Sequence, residues 1–136
     1  MSLRVLHLYP PAKINLGLHV LGRRPDGYHT VRTILQKLAL RDRVTLTLRP
    51  GCFRVRCSDP EVPDGVGNLA FRAADRLIEV TGVKANCSIY IEKRIPSAAG
   101  LGGGSGNAAA VLYGLPKLLR LDIPKEDLLM LASELG

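Results

Sequence analysis

The chain reads as an α+β protein, and three observations carry that prediction. Alternating strand-like segments fill the first part up to Arg49, strand-like and helix-like segments mix after it, and a glycine-dense turn joins one of each kind. With 136 residues, 46% of them hydrophobic, the chain is long and apolar enough for one domain with a core. No apolar run approaches the length of a membrane span. Met1 to Arg4 lead directly into a strand pattern, without the apolar stretch of a signal peptide, so the expected compartment is the bacterial-type cytoplasm.

The elements are read in order. Val5–Leu8 forms a first strand that stops at Tyr9-Pro10-Pro11, where the prolines mark an edge or the start of a loop. Ile14, Leu16, Leu18 and Val20 then alternate with polar or small residues, the period of a half-buried strand. Leu21 to Gly27 carries turn chemistry, with Pro25 setting φ and Gly27 accepting a positive one. Two more strands follow, over 30–38 and Arg43–Leu48, the second alternating Val44, Leu46 and Leu48. Residues 52–57 add a further short strand, in a hairpin, and 59–67 are loop.

Asn68 suits the N-cap of a helix whose Leu69, Ala73, Leu77 and Val80 share a face, with Thr81-Gly82 as its stop. A strand over 86–91 leads to the glycine turn, and a helix runs from about Ser105 to Leu119. Pro124 starts a last helix reaching Leu135, with apolar Leu128, Leu129, Leu131, Ala132 and Leu135. No internal repeat, low-complexity tract or domain boundary interrupts the chain.

Cys52, Cys57 and Cys87 cannot all pair within one chain and lack zinc-site spacing, so free thiols are expected and no protein metal site is predicted. The net charge of +7 is scattered as single or double cations, and aromatics make up only 4% of the residues. That leaves little surface for stacking bases, so a phosphorylated or nucleotide-bearing small molecule is expected rather than a nucleic acid.

The turn Ala98-Ala99-Gly100-Leu101-Gly102-Gly103-Gly104-Ser105-Gly106-Asn107 is the strongest functional signal. A flexible linker has similar composition, but these glycines run straight into the helix-forming Ala108-Ala109-Ala110-Val111-Leu112. Bare glycine backbone lets N–H groups approach an anion, and the following helix N-terminus adds unpaired donors and a positive dipole end. The arrangement therefore predicts a phosphate cradle. It is not a Walker loop, because no Lys lies between Arg94 and Lys117. The dinucleotide fingerprint fails as well, since Ser105 stands where its third glycine would be.

Three further groups are candidates. Lys13 and Asn15 share a strand face, making a cation and an amide neighbours, although a solvated face would look the same. Asp26-Gly27-Tyr28-His29 places a ring with a polar tip beside an imidazole after a tight turn, a platform for a flat heterocycle. Lys93-Arg94 ends a strand just before the glycines, where cations favour polyphosphate, or where a strand merely ends in charge.

In this order, Pro11-Ala12-Lys13-Ile14-Asn15-Leu16, Arg23-Arg24-Pro25-Asp26-Gly27-Tyr28-His29, Asn68-Leu69-Ala70, Lys93-Arg94-Ile95-Pro96 and Gly100-Leu101-Gly102-Gly103-Gly104-Ser105 closely resemble the GHMP kinase superfamily. The resemblance covers nearly the whole chain. It implies the N-terminal domain of that family: a mixed, mainly antiparallel sheet with helices on one face, a fold shared with a ribosomal-protein domain. It also implies ATP-dependent phosphorylation of a small alcohol, with Mg²⁺. The Asp-Gly-Tyr-His element points to the branch that acts on the 2-hydroxyl of a cytidine-diphosphate-linked methylerythritol in non-mevalonate isoprenoid synthesis. Alternatives are another small-alcohol kinase of the superfamily, or a basic RNA-binding module of the same fold.

By position, the resemblance puts Lys13 in a catalytic role and Asn15 beside the methylerythritol, with Tyr28 and His29 at the cytosine. Asn68, Lys93 and Asn107 would line the base and ribose of ATP, and Pro96, Gly100, Leu101, Gly102, Gly103, Gly104 and Ser105 would wrap its phosphates. Two departures stand out. Gly106 replaces a second Ser common in the family. The helix ending at Gly136 resembles one that in the family leads directly into a catalytic Asp, and Asp122 and Asp127 do not match that Asp. The expectation is a single N-terminal domain over 1–136 with the C-terminal domain outside it, inactive alone.

Overall fold

A computed structural model describes residues 4–49, 53–83, 87–97 and 100–135. Among these, six strands and three helices follow one another. They are β1 (Val5–Leu8), β2 (Pro11–Arg23), β3 (His29–Arg41), β4 (Arg43–Leu48), β5 (Arg54–Cys57), α1 (Leu69–Thr81), β6 (Cys87–Glu92), α2 (Gly103–Leu118) and α3 (Lys125–Leu135).

The α+β class holds, with the predicted sheet in two parts. Strands β1-β4-β6-β5 form a four-stranded sheet, antiparallel except for the β5–β6 pair, while β2 and β3 form a separate antiparallel ribbon. Alternation decides which face of the main sheet is buried. Val44, Leu46, Val55, Cys87, Ile89 and Ile91 are at most 3% exposed and belong to one core with Ala73, Ala74 and Leu77 of α1 and Val111, Leu112 and Leu115 of α2. Their neighbours Thr45, Thr47, Ser88 and Tyr90 occupy the opposite face, so the helices cover one side only.

Helix α2 is central to the packing: it lies against α1, β4, β1 and α3. At Gly114 a Cβ would stand 2.9 Å from Leu46 Cδ1 and 3.1 Å from Leu6 Cδ2, with Leu8 closer still, so glycine is what lets the helix approach the sheet.

Several sequence expectations are corrected. Residues 54–57 do not form a hairpin with β4 but pair in parallel with β6 across α1, because a short alternating run says nothing about its partner. Strand β2 runs through Arg23, and only residues 24–27 turn, closed by Gly27 N–H donating to Arg24 O at 3.0 Å with Gly27 at φ 90°. Strand β3 extends beyond 30–38 at both ends, where His29 pairs with Arg23 and Arg41 with Pro11 of β2.

In α1 the buried face is Ala70, Ala73, Ala74 and Leu77, and Val80 is 51% exposed, since small alanines let the helix roll onto the sheet along their stripe. Helix α2 begins at Gly103, two residues earlier than expected, and in α3 only Leu131 is buried. Cys57 and Cys87 are free thiols; Cys52 and the first residue of the strand expected over 86–91 lie outside the described residues.

Candidate nucleotide-phosphate site

The site is built from the ends of three segments. Strand β6 stops at Glu92, residues 93–97 turn away, and the glycine stretch leads into α2. Gly100 and Gly102 lie at φ 74° and 72°, in the left-handed region that glycine enters without penalty. Gly102 is the N-cap of α2 and offers no side chain to the first turn, whose ladder starts with Gly106 N–H donating to Gly102 O at 2.9 Å. The N–H groups of the first turn therefore lack a capping partner, and with the helix dipole they form an anion-attracting end.

Opposite stands the N-terminus of α1. Asn68 Oδ1 accepts from Ala70 N–H at 2.9 Å, the N-cap bond expected from the sequence. The same side chain is 5% exposed, and its Nδ2 donor is buried without a partner. An unpaired buried donor costs about 1–3 kcal/mol, and a ligand that supplies an acceptor recovers that cost.

Between these segments opens a cavity of about 410 Å³. All ten residues expected around ATP line it: Asn68, Lys93, Pro96, Gly100, Leu101, Gly102, Gly103, Gly104, Ser105 and Asn107. Its remaining wall is Ser97 together with Glu61, Val62, Pro63, Gly67 and Leu69, from the loop before α1 and its start. That loop is tied to the glycine side by Ser97 Oγ donating to Asp59 Oδ2 at 3.1 Å and Lys93 N–H donating to Ser58 Oγ at 2.8 Å.

The ribbon meets the glycines through Lys13. Its N–H donates to Leu101 O at 2.9 Å, and its Cε would lie 2.7 Å from a Cβ at Gly102, so the lysine stem rests on bare glycine backbone. Register is unbroken from Lys13 (opposite Lys37) to Asn15 (opposite Leu35), which puts Lys13 and Asn15 on one face as predicted.

Tyr28 and His29 are not brought to this cavity. His29 pairs with Arg23 at the far end of the ribbon, ten residues of β2 from Lys13, on the order of 30 Å along the strand at about 3.3 Å per residue. Irregularities at Pro11/Lys13, Asn15/Gly17 and Val20/Gly22 bend that path. Tyr28 is 70% exposed, and its N–H donates to Asp26 Oδ1 at 3.0 Å, an Asx turn that shapes the ribbon tip.

One residue of the site escaped sequence reasoning. Asp42, the single residue between β3 and β4, is 0% exposed and accepts four hydrogen bonds. Lys93 Nζ (2.5 Å) and Asn107 Nδ2 (3.0 Å) donate to its Oδ2, and Arg94 N–H (2.7 Å) and Ile95 N–H (2.9 Å) to its Oδ1. Burial pushes its pKa up, but the Ile95 N–H, the Lys93 ammonium, the Arg94 N–H and the Asn107 amide together outweigh burial and hold it below the ordinary 3.8. Flanked by Arg41 and Arg43, Asp42 reads in sequence as a solvated turn charge, and no spacing links it to Lys93.

The same contacts revise the expectation for Lys93. Its side chain is 7% exposed and its ammonium is paired with the Asp42 carboxylate, so it adds little net charge to the cavity. Asp122 and Asp127 line a separate cleft of about 380 Å³ between α1 and α3, which shares no wall with the glycine cavity.

A glycine-wrapped helix start thus faces a second, capped helix across the cavity, with a lysine laid over the glycines. The GHMP kinases N terminal domain matches residues 68–136, half of the chain, and the chain belongs to that family. The relatives it resembles are 4-diphosphocytidyl-2-C-methyl-D-erythritol kinases. That of Geobacter sp. (strain M21) is 47% identical over 136 residues, covering 98% of this chain and 48% of the relative. That of Acetivibrio thermocellus is 45% identical over 125 residues, 92% of this chain and 44% of the relative.

The crystal structure of a 4-(cytidine 5'-diphospho)-2C-methyl-D-erythritol kinase superposes with a TM-score of 0.77 at 40% identity, over 96% of this chain and 46% of that one. A homoserine kinase from Cytophaga hutchinsonii, at 21% identity and a TM-score of 0.67, shares the fold. The chain spans about half the length of the curated relatives it matches.

Proposed function

We propose that this chain forms the ATP-binding half of a cytoplasmic kinase that phosphorylates the 2-hydroxyl of 4-diphosphocytidyl-2-C-methyl-D-erythritol. The observation that carries the reading is the convergence of all ten nucleotide candidates on one cavity, among them Asn68, whose buried Nδ2 has no partner. Relatives of that name at 45–48% identity along nearly the whole chain supply the substrate.

In this reading the phosphates lie at the first turn of α2, where Gly102, Gly103 and Gly104 expose backbone donors. The purine end takes the Asn68 donor, against Val62 and Pro63. Lys13, held over Gly102, brings positive charge to the oxygen receiving the phosphate. Phosphoryl transfer needs mainly positioning and charge stabilisation, which these groups provide.

Among the described residues no group of three His, Cys, Asp or Glu could hold a metal ion. The cavity does fit a magnesium ion that travels on the ATP phosphates, since Mg²⁺ needs few protein ligands beside phosphate oxygens and Ser105 offers a hydroxyl on the cavity wall. When bound, the ion neutralises phosphate charge.

The ribbon tip reads the other end of a long substrate, with Tyr28 and His29 at the cytosine and Asn15 near the methylerythritol. Asp122 and Asp127 line the separate cleft and are not the carboxylate that takes the hydroxyl proton; in this reading that group is the Asp which the family resemblance places after residue 136. The purified chain is expected to bind ATP without turnover. Joined to the remaining half of the Geobacter relative, it is expected to release ADP only with the cytidine substrate. ADP release by the 136-residue chain alone, abolished by Lys13→Ala, would overturn the division of labour, and absence of ATP binding would overturn the nucleotide reading.

A further inference from the structure

The buried Asp42 sits behind the cavity and touches no part of its surface. Its partners are three elements of the site at once: Lys93 and Asn107 by side chain, and residues 94 and 95, where the chain leaves β6 for the glycines, by backbone. Asn107 closes the network, since its Oδ1 accepts from Lys93 Nζ at 3.2 Å while its Nδ2 donates to Asp42. The ammonium therefore uses two of its three N–H bonds internally. Asp42 is itself anchored by its N–H donating to Pro10 O at 3.1 Å, next to the strand that carries Lys13.

Geometry ties this network to the glycines. A Cβ at Gly103 would lie 2.9 Å from Lys93 Nζ and 3.1 Å from Ile95 Cγ2, so the start of α2 seats directly on the lysine that Asp42 holds. A buried ion pair is weak evidence for stability by itself. This one sits where a structural role and a binding role coincide, because moving the Lys93 ammonium moves the floor under the phosphate donors.

Resting on the nucleotide reading above, we infer that Asp42 is a positioning residue for ATP: it orients the Lys93 ammonium so that its remaining N–H faces the cavity, and it holds the strand end from which the glycine turn departs. Asp42 touches no ligand: its charge acts through Lys93, while its Oδ1, whose acceptor Asp42→Asn retains, holds residues 94 and 95. The two residues are then energetically coupled in ATP binding, and the loss of one makes the loss of the other redundant.

A double-mutant cycle tests this on the 136-residue chain, with ATP titrated calorimetrically and folding checked by circular dichroism at the same temperature. Asp42→Asn keeps the volume and an acceptor but removes the charge, and Lys93→Met removes the donor. Each is expected to weaken ATP binding by about tenfold, and the double variant to bind no more weakly than Lys93→Met alone. Folded Asp42→Asn that binds ATP as the wild type does, or losses that multiply in the double variant, would overturn the inference.

If Asp42→Asn fails to fold, the wild-type chain gives the answer by nuclear magnetic resonance. The Lys93 ammonium and Asn107 side-chain amide resonances should shift on adding ATP, and resonances that stay in place while ATP binds would overturn the inference equally. A wild-type chain that does not bind ATP at all would remove the nucleotide reading and this inference with it.

Discussion

The stem of Lys13 lies across the bare backbone of Gly102, with its Cε 2.7 Å from where a Cβ would stand. This contact couples the ribbon to the glycine turn and is reinforced by Lys13 N–H donating to Leu101 O. Gly102→Ala adds a methyl that displaces the lysine, at a φ of 72° that costs a non-glycine residue about 1–2 kcal/mol. The variant is expected to unfold earlier in urea and to bind ATP at least about tenfold more weakly, a change of about 1.4 kcal/mol. Wild-type affinity in calorimetry would show that Lys13 need not rest there.

Asn68 caps α1 and also carries an unpartnered donor, two properties that substitution can separate. Asn68→Ala removes the N-cap acceptor and is expected to cost about 1 kcal/mol of stability. Asn68→Asp keeps an acceptor for Ala70 N–H but loses the unpartnered Nδ2 donor. Thermal denaturation should place Asn68→Asp close to the wild type, while ATP titration should show both variants weakened.

Asp42 makes stability depend on acid. Burial disfavours its charged form, but the four donors prevail and lower its pKa in the folded state below 3.8. The native state then binds fewer protons than the unfolded chain in that range. The stabilisation is complete above the unfolded value and is lost as pH falls through the lower folded value. Urea denaturation across the acid range should show stability falling with pH, and the fall should be shallower in Asp42→Asn.

Cys87 is 0% exposed, and burial pushes its thiol up to about 11. The nucleophilic thiolate is therefore scarce at neutral pH as well as inaccessible. Peptide mapping after iodoacetamide treatment should find Cys87 unmodified in the native chain and modified in urea. Labelling in the native chain would show that the sheet opens at β6.

Gly114→Ala should destabilise despite alanine's better helix propensity, worth about 1 kcal/mol. The added methyl meets Leu6, Leu8 and Leu46 together, and overpacking of this kind costs about 1–3 kcal/mol. A urea midpoint equal to or above that of the wild type would mean that β1 can shift aside.

Much of the fold was legible because local rules govern it. Period-two alternation marked Arg43–Leu48 to the residue, and Asn68 and Gly82 framed α1 by their capping chemistry. The partner of β5 was not legible, since strand pairing depends on what α1 brings alongside β6. The parting of β2 and β3 from the main sheet was equally hidden, because alternation reports burial and not the neighbouring strand.

For the site, the residue types were readable and their assembly was not. Glycines without a Walker lysine, a capping Asn and a Lys-x-Asn strand announce themselves by chemistry that works within a few residues. Only the folded chain showed that Lys93 is occupied by Asp42, fifty-one positions away, and that Tyr28 stands apart from Lys13 at the ribbon tip. Contacts between distant residues depend on how the helices and sheets pack, and a buried carboxylate between two arginines carries no local mark of the lysine it will meet. The sequence by itself determined the order and type of the elements and the glycine-rich start of α2, because those rest on local chemistry; tertiary packing decided which strands pair and which charges are buried against each other, because those contacts join residues far apart in the chain.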